Sequence, residues 1–233
     1  MSQYDNTLNQ AAVRDRSIIK NVYMWMTAGL ALTGVVAWWF SGNLRLMQAF
    51  ISNPIMFYGA IIGELVLVIY LSRNIMRMSA GAATAAFAGY AILNGLTLST
   101  IFLAYTGATI ALAFVTTAAA FGAMSLYGVT TRRSLQGMGH YLMMGLIGII
   151  IASVINFFLQ SPALYYLISY VGIAVFMGLT AYDTQRILAM SRQYSGTVDE
   201  TDYIRISILG ALKLYLDFIN IFLFVLRIFG RRR

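Results

Sequence analysis

Seven stretches of about twenty residues, each almost free of charge, constrain this chain more than any other feature. They run at roughly 22–40, 54–72, 80–104, 108–130, 140–159, 163–185 and 204–228. At 1.5 Å of rise per residue, each is long enough to cross the roughly 30 Å hydrocarbon layer as an α-helix. A membrane β-strand would need only about ten residues and would alternate apolar with polar positions, which these runs do not. Lipid offers no hydrogen-bond partners to a backbone, so a run of this kind satisfies its own amides by forming a helix. With 60% hydrophobic and 10% charged residues, the chain has more apolar surface than a soluble domain of 233 residues can bury. The expected fold is an all-α membrane protein, a seven-transmembrane-helix bundle.

The connections are short, which makes neighbouring helices antiparallel and leaves no room for a second domain. Residues 1–21 read as a polar cytoplasmic tail and 22–233 as one transmembrane domain. The tail has no short apolar region followed by a small-residue cleavage site, so the first block reads as a retained helix.

Basic residues orient the bundle. With a cytoplasmic N-terminus, Arg14, Arg16, Lys20, Arg73, Arg77, Arg132, Arg133, Arg186, Arg192 and Arg205 lie inside, and Arg45 alone lies outside over the first six blocks. The net charge of +8 is then a matter of topology and contact with anionic lipid, not nucleic-acid binding. The terminal "RIFGRRR" runs against this pattern. Either the seventh block crosses despite the cluster or it folds back to the cytoplasm; its length and the lack of a break in "ALKLYLDFINIFLFVLRIF" favour crossing.

Residue counts remove whole chemistries. Without cysteine there is no disulfide, thiolate nucleophile or iron–sulfur site, and His140 alone cannot build a histidine metal cluster. His140 reads as an interfacial residue beside Tyr141. No G-x-S-x-G stretch is present, so a serine hydrolase is not expected either.

The acids carry the information. Asp5, Asp15, Asp199, Glu200 and Asp202 fall in aqueous tail or loop, whereas Glu64, Asp183 and Asp217 fall in apolar blocks. A charge at mid-membrane costs about 3 kcal/mol on insertion scales, so such residues face the bundle interior and mark a functional path by default. In "ALKLYLDFINIFLF", Lys213, Asp217 and Asn220 follow at spacings of four and three, along one helical face. Two readings stand. In one, each acid pairs within its own helix, Asp217 with Lys213 and Asp183 with Arg186. In the other, Asp183 and Asp217 meet across two antiparallel helices and share a proton, since both cannot ionise cheaply at one site. That pair would be a latch: protonated, it ties the helices; deprotonated, it repels and offers oxygens to a hard cation such as Ca²⁺. Their depths differ by about 9 Å at 1.5 Å per residue, so helix tilt must close the gap. Glu64 has no basic residue within four positions, and reads either as part of a cation path or as an interhelical hydrogen-bonding group. Asn94 and Asn156 read as polar links between helices, and the small residues of "GAATAAFAGYAILNG" as a close-packing face.

Three stretches carry a resemblance: "SLYGVTTRRSLQGMGHYLMMGLIGIIIASVINFFL", "FMGLTAYDTQRI" and "ALKLYLDFINIFLFVLR". The chain resembles the BAX inhibitor-1 family, also called the transmembrane BAX inhibitor motif family, in a form similar to its bacterial inner-membrane members. The resemblance covers essentially all seven blocks, and "AYDTQ" and "LYLDFIN" are its most specific parts. It implies a seven-helix bundle with the C-terminal helix central, a pH-sensitive calcium leak without resident cofactor, and an aspartate dyad that falls here on Asp183 and Asp217. It also implies an acidic and a basic residue associated with the second helix, matched by Glu64 and by Arg73 or Arg77. The connection "LAMSRQYSGTVDETDYIR" is longer than such a dyad needs.

Three functional classes follow: a gated cation leak or transporter with Ca²⁺ as its ion; a regulator that binds a membrane partner such as an AAA protease, with the polar tail as contact; and an intramembrane aspartyl protease. The protease reading lacks its second motif, since G-x-G-D on the later helix is replaced by "LYLD", and no enzyme activity is expected. The expected ligand set on the ion path is Glu64, Asp183 and Asp217, flanked by Arg73, Arg77, Arg186, Lys213 and Asn220.

Overall fold

The computed structural model describes residues 2–194 and 200–230 and, over these, consists of helices and the turns that join them. The order is α1 (Ser2–Ser41), α2 (Leu44–Ser52), α3 (Pro54–Asn74), a 3₁₀ turn at Ile75–Arg77, α4 (Ala80–Leu98), α5 (Ile101–Ala104), α6 (Gly107–Thr130), α7 (Met138–Leu159), α8 (Pro162–Tyr194) and α9 (Glu200–Phe229). Seven helical segments are long and apolar enough to cross a membrane, from Ile18–Ser41 to Thr201–Phe229. Each coincides with one of the seven blocks, because the thickness of the hydrocarbon layer sets both the length of an apolar run and the length of the helix it forms.

Caps fix where the helices begin. The Asn53 side chain accepts from the Ile55 and Met56 amides with Pro54 at the first helical position of α3; Ser79 caps α4 through Ala82, and Thr106 caps α6 through Thr109. The sequence reading needs three adjustments. Helix α1 starts at Ser2, so the polar segment continues the first span as helix. Helix α2 is an additional nine-residue element, too short to span, with Met47 and Phe50 buried. The third block is broken after Leu98, where the hydroxyls of Ser99 and Thr100 donate back to the carbonyls of Leu96 and Thr97. The long connection before the last span is largely helical, through the end of α8 and the start of α9, while its central residues and the terminal arginines 231–233 lie outside the described residues. Helix α9 runs without a break to Phe229, as the crossing reading of the seventh block requires.

Contacts group the chain into two compact units. The first holds residues 1–104 and 189–215, the second residues 105–188 and 216–233, so α9 supplies its first half to one and its second half to the other. In the first unit α4 packs against α1 and α3. A Cβ on Gly95 would stand 2.8 Å from the Thr33 carbonyl oxygen, so only glycine permits that approach of α4 to α1. In the second unit a Cβ on Gly128 would stand 2.6 Å from the Ala181 carbonyl oxygen, which sets the approach of α6 to α8. The α9 span is the most buried, with 72% of its central window buried against 6–33% for the other six.

Candidate functional site

Two groups of polar side chains sit inside membrane-spanning helices, one in each unit. In the first, Glu64 projects from the middle of α3, half-buried. Its Oε1 accepts from the Asn94 amide of α4, and its Oε2 accepts from the Thr97 hydroxyl at 3.2 Å. Asn94 and Thr97 lie three apart, so one face of α4 delivers both donors. Neutral donors, not a basic side chain, therefore satisfy this acid. Arg73 and Arg77 are exposed at the end of α3 and in the turn that follows. Arg73 is nine residues from Glu64, about 13 Å along the helix axis, so the two do not form one site.

The same unit holds a hydrogen-bonded chain that the sequence reading missed. Tyr215 is fully buried; its hydroxyl lies 2.7 Å from the Thr33 hydroxyl, which in turn donates to the Ala91 carbonyl at 2.9 Å. A threonine has one hydroxyl proton, so Tyr215 is the donor to Thr33. Phe87 and Tyr90 of α4 meet the Tyr215 ring edge-on at 6.0 and 5.7 Å. Near the start of α9, the Asn21 amide donates to the Tyr203 hydroxyl at 2.8 Å, and Arg205 pairs with Asp202 at 2.7 Å and donates to the Met78 carbonyl. Tyr215 was legible only as part of "LYLDFIN"; what it touches depends on residues nearly two hundred positions away.

In the second unit, Asp217 of α9 is 4% exposed and Asp183 of α8 is half-buried. Both belong to the second unit. Arg186 is exposed, Asn220 is half-buried, and the Asn220 amide donates to the Leu216 carbonyl of its own helix at 2.8 Å; Lys213, also half-buried, belongs to the first unit. The same unit buries hydroxyls: Thr117, Ser125 and Thr184 are at most 5% exposed, and their oxygens have no hydrogen-bond partner among the described residues. Such groups are costly to bury dry. Phe114 and Phe121 of α6 close on Phe218 at 5.4 and 5.5 Å, an aromatic wall beside Asp217. Gln185, two residues after Asp183, accepts from the Leu135 amide at 2.7 Å and donates to the Arg133 carbonyl at 2.9 Å, clamping the α6–α7 connection onto α8. That explains the glutamine of "AYDTQ", a role the sequence reading did not assign. His140 is exposed and meets Tyr141 edge-on, as an interfacial histidine would. Among the described residues no three histidine, cysteine or acidic side chains gather closely enough to hold a metal ion by themselves.

The family model described as inhibitor of apoptosis-promoting Bax1 matches residues 15–233. The chain belongs to the BAX inhibitor-1 family. It is 52% identical over 218 residues to the inner membrane protein YbhL of Escherichia coli K12, covering 94% of this chain and 93% of that one. It is also 43% identical over 221 residues to an uncharacterized protein of Borreliella burgdorferi, covering 93% and 94% of the two chains. An uncharacterized membrane protein of Streptococcus pyogenes is 37% identical over 232 residues, covering 99% and 96%. Membership spans the whole transmembrane part, so this is an integral membrane protein of that family, with a relative described as an inner-membrane protein.

Proposed function

We propose that the chain is a pH-sensitive cation leak, with Ca²⁺ as its ion, gated by Asp183 and Asp217 acting as one titrating pair. The observation that carries this reading is the burial of Asp217 inside a spanning helix of the unit that also holds Asp183. A carboxylate in such a place is expensive as a structural device and useful as a switch. When one proton is shared, the pair links α8 to α9; when it leaves, like-charge repulsion drives the helices apart and exposes carboxylate oxygens to a hard cation. Flux therefore rises with pH. The buried hydroxyls of Thr117, Ser125 and Thr184 suit a hydrated interior, and a Ca²⁺ ion passing the pair would complete its six to eight oxygens from hydroxyls, carbonyls and water. Glu64, held by Asn94 and Thr97 in the first unit, offers carboxylate oxygens of its own to a cation. The reading has the N-terminus in the cytoplasm, as the basic residues indicate, in a bacterial inner membrane, and assigns the chain no enzymatic chemistry.

A regulatory role is the second reading, favoured by the continuation of α1 some sixteen residues beyond its apolar span, from Ser2 to Ile18. A polar helix of that length outside the bilayer offers a contact for a membrane protein such as an AAA protease. Ca²⁺ uptake into liposomes containing only this protein, followed as a function of pH, separates the two. A leak that rises with pH is expected; no flux at any pH would leave the regulator.

A further inference from the structure

The second unit contains an arginine that forms no ion pair among the described residues. Arg227, near the end of α9, is half-buried, with its guanidinium over the Tyr165 ring at 5.5 Å and the Phe224 ring at 5.3 Å. The acidic side chains of this unit are Asp183 and Asp217. Asp217 lies ten residues back along α9, about 15 Å of helix axis, and Asp183 lies eighteen residues beyond Tyr165 along α8, about 27 Å. Two aromatic rings flank the guanidinium but neutralise none of its charge.

Arg227 lines an open cleft of about 890 Å³ at the α7–α8 connection, together with Asn156, Gln160, Ser161, Tyr165 and Tyr166. Its size is that of a small-molecule site. Two of its polar side chains, Asn156 and Gln160, carry amide donors. Asn156 Oδ1 is taken up by the Ser161 amide at 3.0 Å, which leaves its NH₂ group for a ligand, and Gln160 is held in the left-handed region (φ 49°) as the residue that ends α7. Phe157, which lines the cleft, and Leu159 and Leu167 at the same helix ends are each more than half exposed. A cation and two amide side chains in one cleft, with exposed apolar side chains at the same helix ends, match a molecule with an anionic head and apolar tails.

We propose that this cleft binds the phosphate group of an anionic phospholipid, with Arg227 making a two-pronged contact to the phosphate oxygens and Asn156 and Gln160 donating beside it. The acyl chains run along the Phe157 side of α7. The site is separate from the acidic pair and stands whether or not the chain conducts ions.

The test is native mass spectrometry of the full chain in detergent, titrated with dioleoyl phosphatidylglycerol, with dioleoyl phosphatidylcholine and with sodium phosphate. Phosphatidylglycerol should bind at roughly tenfold lower concentration than phosphatidylcholine, and millimolar phosphate should not displace it. Arg227→Gln should remove most of that preference and Arg227→Lys should keep part of it. Gln160→Glu, a change at an exposed position, should weaken phosphatidylglycerol alone by placing a carboxylate in the cleft, and it serves if Arg227→Gln fails to fold. Neutralising Arg231, Arg232 and Arg233 together to Gln should leave the preference in place. Full preference in both Arg227→Gln and Gln160→Glu, or its loss in the triple variant, overturns the site. Displacement by inorganic phosphate overturns the lipid assignment.

Discussion

Helices α7 and α9 invert the rule that soluble proteins teach. The α7 span, Met138–Leu159, has no charged residue, and only 6% of its central window is buried. The α9 span, Thr201–Phe229, carries Asp202, Arg205, Lys213, Asp217 and Arg227, and 72% of its window is buried. In water apolar surface seeks the interior; in lipid it has no reason to, because acyl chains are as apolar as leucine. What drives a helix inward here is polarity that lipid cannot satisfy, together with tight packing. The polar helix is therefore the interior one, and the most apolar helix is the wall.

The comparison can be broken first by cavity formation. Leu212 on α9 is fully buried and Ile150 on α7 is 55% exposed. Leu212→Ala should cost about 2–4 kcal/mol of stability, measured by denaturation in detergent micelles, since a cavity in packed protein stays partly unfilled. Ile150→Ala should cost less than about 1 kcal/mol, because lipid or detergent closes over the loss. Equal costs would mean that α7 is not a wall. A second contrast uses glycines. Gly128→Ala sets a methyl 2.6 Å from the Ala181 carbonyl oxygen and should destabilise by about 1–3 kcal/mol, whereas Gly148→Ala on α7, with nothing within 4 Å, should be neutral or slightly stabilising. A third, smaller effect sharpens the role of the half-buried acid. Glu64→Gln keeps an oxygen for Asn94 and lets the Thr97 hydroxyl rotate to accept, so stability should fall by about 1 kcal/mol or less. Ca²⁺ flux should nevertheless drop; unchanged flux would assign Glu64 to interhelical bonding alone.

How far the sequence could be read follows from the same physics. The seven spans were legible because bilayer thickness imposes one length on every apolar run. Helix α2 was not, since its nine residues are too few to span and simply continue the pattern around them. Nor was the break at Ser99 and Thr100, where hydroxyls bonding back to the preceding turn end α4 without interrupting the apolar run. Glu64 announced itself as an acid without a charge partner in its own helix, but its actual partners are 30 and 33 residues away on α4. Asp183 and Asp217 could be picked out as costly residues, whereas Gln185 and Tyr215 stood in the two motifs without a role, because an amide or a phenol has a task only once the fold supplies what stands opposite.

The most direct test of the acidic pair is Ca²⁺ flux into liposomes against pH for the wild type, Asp183→Asn, Asp217→Asn and the double variant. The pair predicts that either single change flattens the rise of flux with pH, and that the double variant matches the singles, because removing one member already dissolves the unit. Two single effects that add in full, or a pH response that survives in both Asn variants and is lost on replacing Lys213 and Arg186 with Met, would contradict it.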